Sequence, residues 1–177
     1  MDKPHIEKEY KVMIDKHTYE SLLKKLNIKP VRQVNYYYDV FNTRCATRIR
    51  EREGKYLFTL KEKGDGFRYE YEFEIERNSL EDPKIKEVFD KFGITKYRYL
   101  GEMATERATY EFKKGELCLD ASYYFDTEDY EIEFELYDYK DDGFEEFEEF
   151  LKDNNLVYVK SPRSKYKRFL DELLKQK

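Results

Sequence analysis

Glu7-Lys8-Glu9-Tyr10-Lys11 opens the first extended run of the chain. In a strand, alternate residues share a face. Glu7, Glu9 and Lys11 therefore project together, while Tyr10, Val12 and Ile14 form a largely apolar opposite face. Two carboxylates about 7 Å apart along a strand suit a hard divalent cation, which prefers oxygen ligands. The ammonium beside them suits a phosphate. The same five residues also make an ordinary solvated strand face, so the rest of the chain has to decide.

Outward from that stretch, the pattern predicts eight strands and four helices. The strands are expected at about 5–14, 34–41, 44–53, 55–63, 67–77, 96–113, 116–124 and 129–138. Turns are marked by Gly54, by Gly64-Asp65-Gly66 and by Gly115, and Gly101 suggests a bulge. Asp15 can cap a helix over 16–27 whose apolar face is Tyr19, Leu22, Leu23 and Leu26. Ser79 can cap a second, carrying Ile85, Val88, Phe89 and Phe92 and stopping at Gly93. A third helix is expected around 144–153. Ser161-Pro162 then reads as the cap and first residue of a last helix reaching about 175.

One face of these strands is unusually charged. It presents Arg48, Arg50 and Arg52, then Lys61 and Lys63, then Arg68, Glu70, Glu72, Glu74 and Glu76. Arg107 and Glu111, Glu116 and Asp120, and Glu131, Glu133 and Glu135 continue it, and the complementary face is Tyr, Phe, Ile and Leu. Eight antiparallel strands can close into a barrel, and two versions fit. Either the charges face water outside an ordinary core, or they line the lumen while the helices cover an apolar exterior. A charged lumen must be wet or occupied, since unpaired buried ions cost several kcal/mol each.

Composition narrows the function. Charged residues make up 41% of the 177 residues, yet the net charge is only −5, which argues against a general nucleic-acid binder. Aromatics at 18% mark a folded, β-rich chain, expected to form one domain over 1–177. Apolar runs are too short for a membrane span and no signal-peptide hydrophobic region is evident, so a cytoplasmic protein is expected. Cys45 and Cys118 form neither a disulfide framework nor a zinc pattern, and fall on opposite strand faces. His5 and His17 read as strand-edge and helix-surface residues.

The ordered motifs resemble those of the CYTH superfamily, the triphosphate tunnel metalloenzymes. The E-x-E-x-K opening is Glu7 to Lys11, and Gln33-Val34-Asn35-Tyr36-Tyr37-Tyr38-Asp39 is similar to the next conserved segment, with Val40 where threonine is usual. Arg48-Ile49-Arg50, Thr59-Leu60-Lys61, Arg68 to Glu72, Arg107, Leu117 to Asp120, Glu131 to Glu135 and Ser164 to Arg168 follow in family order. The resemblance spans nearly the whole chain. It implies a β-rich α+β fold: a closed eight-stranded antiparallel barrel with a charged lumen and amphipathic helices packed outside.

The resemblance also implies chemistry. Glu7, Glu9, Glu133 and Glu135, with Asp120 and Glu131 contributing less, would hold Mg²⁺ or Mn²⁺. Lys11, Arg48, Arg50, Lys61, Arg107 and Lys165 would clamp phosphates, guanidinium as a fork and ammonium as a point charge. Glu7, Glu9, Lys11 and Glu133 would be the catalytic set. The implied reaction is attack of a metal-activated water on the terminal phosphorus of a small triphosphate: inorganic triphosphate first, with ATP or thiamine triphosphate as alternatives. The other readings are a class IV-type adenylate cyclase, which the Asn35 to Asp39 segment disfavours, and a non-catalytic polyphosphate or nucleotide sensor. No membrane or nucleic-acid partner is expected, and the chain would be a monomer or homodimer.

Overall fold

In the computed structural model the alternating segments become nine strands and the amphipathic ones four helices among the described residues. The structure describes residues 4–41, 45–63, 67–160 and 163–177. In chain order the elements are β1 (His5–Glu7), β2 (Glu9–Ile14), α1 (Lys16–Leu26), β3 (Val31–Val40), β4 (Ala46–Arg52), β5 (Lys55–Lys63) and β6 (Arg68–Ile75). Then come α2 (Pro83–Phe92), β7 (Tyr97–Glu111), β8 (Gly115–Tyr124), β9 (Thr127–Leu136), α3 (Phe144–Asp153) and α4 (Lys165–Lys175).

All nine strands belong to one antiparallel sheet, ordered β1-β6-β5-β4-β3-β7-β8-β9-β2. The two ends of that order are consecutive in sequence. The expected first strand is broken at Lys8, so β1 pairs with β6 and β2 with β9. Lys8 still ties the break to β9, its carbonyl accepting from the Leu136 amide at 3.0 Å. The count is therefore nine rather than eight, and the kinked N-terminal segment closes the ring.

The charged face turns inward. Lys11 pairs with Glu133 and Glu9 with Glu135 across β2–β9, and Arg107 pairs with Asp120 across β7–β8. The apolar faces point outward under helices. Val12, Leu117, Leu119, Ile132 and Phe134 pack against Tyr19 and Leu22 of α1 and Phe147 and Leu151 of α3. Ile49, Phe58, Leu60 and Ile75 pack against Ile85, Val88 and Phe89 of α2. The main apolar core thus lies outside the barrel, and the sheet's second face is free for chemistry. Phe134 tests this layering. It is fully buried and stacks on Phe147 with centroids 5.4 Å apart. Phe134→Ala should cost about 3–5 kcal/mol, read from denaturant unfolding, while Phe134→Leu should cost less. A loss below about 1 kcal/mol would show that this face is not core.

Local signals place most helix ends. Asp15 accepts from the Thr18 amide at 2.8 Å and starts α1. Gly93, at φ 69, ends α2 in the left-handed conformation that glycine adopts without penalty. Two starts differ from expectation. Ser79 only closes a turn to Glu81, while Asp82 caps α2 ahead of Pro83, which pre-sets the first helical φ. Ser164, not Ser161, caps α4, accepting from Lys167 at 3.2 Å. Ser161-Pro162 and the Gly64-Asp65-Gly66 turn lie outside the described residues.

The larger difference is α4, which does not pack outside. Phe169 is fully buried among Tyr37, Met103 and Tyr124, and Tyr37 is a lumen residue. The seat for α4 is the bulge expected at Gly101, where the β3–β7 register shifts between Tyr37 and Tyr38. Gly101 has φ 143, and a Cβ there would stand 3.0 Å from the Phe169 ring. A glycine is required for helix and strand to meet this closely.

Candidate active site

The lumen holds a cavity of about 220 Å³ lined by seven Lys and Arg and six Glu side chains. Near-equal numbers leave it close to neutral, so what matters is how the charges are paired. Glu7, Glu9, Lys11, Arg48, Arg50, Lys61, Arg107, Glu133, Glu135 and Lys165, all expected at the site, line this one cavity. Asp120 and Glu131 are fully buried behind it. With β1 and β2 taken as one strand, β4 stands across the ring from β9. Arg48 and Arg50 therefore sit opposite Glu133 and Glu135.

The acids form two groups of different character. Oxygens of Asp120, Glu131 and Glu133 lie within 4.8 Å of one another, and so do those of Glu7, Glu9 and Glu135. The first group is filled by the protein's own cations. Lys165 reaches Asp120 at 2.7 Å and contacts both Glu131 and Glu133. Arg107 forks onto Asp120 at 2.8 and 2.7 Å and meets Glu133 at 3.4 Å. Burial works against an ionised Glu133, but Lys165, Lys11 and Arg107 outweigh it and hold its carboxyl well below the usual range. Burial likewise opposes the Lys165 ammonium, yet Asp120, Glu131 and Glu133 push its pKa up.

The second group is short of positive charge. Glu7 meets Lys61 at 3.1 Å and Glu9 meets Lys11 at 3.4 Å, while among the described residues Glu135 has no ion pair. Burial, then Glu7, Glu9 and Glu70, raise the Glu135 carboxyl to about 8. Burial, then Glu133 and Glu7, raise Glu9 as well. Three clustered oxygen donors under mutual repulsion fit a hard divalent cation. The six acids expected to share metal thus divide by their cations: Lys165 and Arg107 reach into the first triad, although burial still raises Glu131 to about 7, and among the described residues the second triad has the fewer ion pairs.

The cations divide too. Among the described residues Arg48 and Arg50 have no carboxylate at ion-pair distance, although the lumen is rich in Glu. The Arg48 Nε is buried without a partner, and Arg50 donates its Nε to the neutral Asn35 Oδ1 at 2.9 Å. Burial first, then Arg48 and Arg107, lower the Arg50 pKa to about 9, which leaves it charged at neutral pH. Glu72 is near enough to act on both guanidiniums, though not at ion-pair distance, and two adjacent guanidiniums so placed suit an anion. By contrast Lys11, Lys61, Arg107 and Lys165 are all paired.

With that geometry in view, comparison with known proteins shows the CYTH domain matching residues 5–169. The chain belongs to the CYTH family. A curated relative, YjbK of Bacillus subtilis (strain 168), carries the name of a triphosphatase and is 32% identical over 94% of this chain and 95% of its own. A Bacillus halodurans crystal structure that carries the name of an adenylate cyclase has a TM-score of 0.80 at 27% identity, covering 95% of this chain and 99% of that one. HpAC1 from Hippeastrum, titled an adenylyl cyclase with a dominant triphosphatase activity, has a TM-score of 0.74 at 24% identity, covering 94% and 95%, and shows the shared fold. Among the described residues no helix is long and apolar enough to cross a membrane.

Strand patterning did not single out every residue lining this CYTH tunnel. His5 lines the cavity rather than a bare sheet edge, and Arg68, Thr47 and Tyr166 join it. Arg68 was visible in the alternation of β6, but nothing in that alternation separates it from its neighbours. Asn35, the acceptor for Arg50, had a legible signal: it lies on the lumen parity of β3 and pairs directly with Arg50. Cys118 faces inward beside Arg107 and Asp120, and burial pushes its thiol up, away from thiolate chemistry.

Proposed function

We propose that this protein hydrolyses small triphosphates with a divalent cation at Glu7, Glu9 and Glu135, and that inorganic triphosphate is its preferred substrate. The observation that carries this reading is the pair of charged guanidiniums on β4, without anion partners, across the lumen from an acid triad short of positive charge. A polyphosphate and a cation together complement those two walls. A bound Mg²⁺ or Mn²⁺ would neutralise phosphoryl oxygens and acidify a bound water. The chain's own part is to bind and orient. Arg48 and Arg50 take the phosphate oxygens, and Lys61 and Lys11 bridge from acids to substrate. Arg107 and Lys165, fixed by Asp120 and Glu133, present pre-organised charge as negative charge moves to the leaving oxygen.

Size and lining favour inorganic triphosphate. A cavity of about 220 Å³ is smaller than the roughly 300–1,000 Å³ usual for drug-sized ligands. Its wall is charge, with Tyr37 and Tyr166 supplying the aromatic surface. The name of the YjbK relative favours triphosphate hydrolysis without choosing among substrates, while that of the Bacillus halodurans relative supports the second reading, a cyclase.

The test is a panel of inorganic triphosphate, ATP and thiamine triphosphate, each with Mg²⁺, Mn²⁺ or chelator, scored for phosphate and for cyclic AMP. Chelator-sensitive phosphate release, fastest from inorganic triphosphate, is expected. Cyclic AMP with diphosphate from ATP would instead establish the cyclase reading. Binding without turnover across the panel would reduce the tunnel to a sensor.

A further inference from the structure

We infer that Arg168 is a positioning residue that fixes Lys165 in the tunnel by way of Glu131. The inference rests on the triphosphatase reading for its kinetic consequence, not for its geometry. Arg168 follows Lys165 by three residues on α4, so both point the same way. Its guanidinium is used on three sides. Nε donates to Asp129 Oδ2 at 3.1 Å, and Nη1 donates to the backbone carbonyl of Arg163, just before the helix, at 3.0 Å. Nη2 stands 3.0 Å from Glu131 Oε2 in an ion pair without hydrogen-bond alignment. Asp129 is itself held by the Tyr124 hydroxyl at 2.5 Å.

Glu131 is the link. It is fully buried, and its other oxygen contacts Lys165. One carboxylate thus lies between two cations of one helix, with Arg168 anchored to β9 and to the start of α4. Arg168 shares the load of neutralising Glu131 and ties the start of the helix, capped by Ser164, to β9. Both effects fix how far the Lys165 ammonium reaches towards Asp120 and Glu133. Without Arg168, Lys165 would be the one cation left on this buried carboxylate among the described residues, and the first turn of α4 would lose its tie to β9. Outer-layer contacts of this kind typically change activity by 10–100-fold.

The test uses Arg168→Ala and Lys165→Ala singly and combined, with Arg168→Gln as a second variant should the alanine protein not fold. Arg168→Ala is expected to lower kcat/KM for inorganic triphosphate with Mg²⁺ by about 10–100-fold. Added to Lys165→Ala it should cost less than about twofold further, because the two residues act as a unit. Fully multiplicative losses would show that Arg168 acts only on the fold, and would overturn the proposal. An activity-independent readout is labelling of Lys165 by an amine-reactive reagent, followed by mass spectrometry, with exposed Lys167 on the same helix as internal reference. Labelling of Lys165 relative to Lys167 should rise severalfold in the Arg168 variants. Unchanged labelling would overturn the positioning role even if the wild type hydrolyses triphosphate. Raised labelling in a protein that turns nothing over would sustain it and overturn the triphosphatase reading instead.

Discussion

Replacing Glu135 with glutamine is expected to cut metal-dependent turnover by about 10²–10⁴-fold, the loss that follows when several kcal/mol of charge stabilisation disappear. The same change should leave the metal-free protein at least as stable as the parent. Glu135 sits against Glu7 and Glu9, and burial with these neighbours raises its carboxyl to about 8. Glutamine keeps the shape and removes the cost of this buried carboxyl, which the metal-free protein meets by holding it protonated below about pH 8 and by repulsion above. Loss of activity with equal or greater thermal stability is the signature of an acid kept for binding rather than for the fold. Thermal denaturation in chelator beside phosphate release in Mg²⁺ gives both numbers. A variant that is fully active, or one markedly destabilised without metal, would remove Glu135 from the site.

Arg50→Ala carries the second large effect, a fall in kcat/KM of about 10²–10³-fold, comparable to the loss of a donor aimed at developing negative charge. Arg50→Lys should recover only part, since a point charge cannot fork onto phosphate oxygens. Stability again separates the readings. Among the described residues Arg50 has no carboxylate partner and its nearest acceptor is Asn35. Its removal should therefore be neutral or stabilising in the free protein. Arg107→Ala makes the contrast. It leaves Asp120, fully buried, without its fork, and breaking such a pair typically costs 3–5 kcal/mol. If Arg50→Ala proved as destabilising as Arg107→Ala while kcat/KM held, Arg50 would be structural.

Alternation made much of this legible. Strict period-two runs such as Arg68 to Ile75 and Glu131 to Leu136 settle strand identity and which residues share a face. They leave open whether the charged face is lumen or surface, because alternation is symmetric between the two. The resemblance of the ordered motifs chose the lumen. What stayed hidden depends on pairing across the ring. The division of six acids into a triad crossed by Lys165 and a triad with fewer cations follows from where Lys165 lands, and no local pattern reports that. The position of α4 was equally hidden. Tyr166, Phe169 and Leu173 look the same whether an amphipathic helix covers the outside of a sheet or plugs its lumen. The break at Lys8 leaves no trace in the alternation either, since Glu7 and Glu9 keep one parity on either side of it.

The most direct measurement is a ³¹P NMR time course of inorganic triphosphate with the protein and Mg²⁺, repeated with excess chelator. The account predicts that triphosphate resonances give way to phosphate and diphosphate in equal amounts, and that chelator stops the conversion. Triphosphate signals that shift or broaden on binding but yield no products with Mg²⁺ would contradict it.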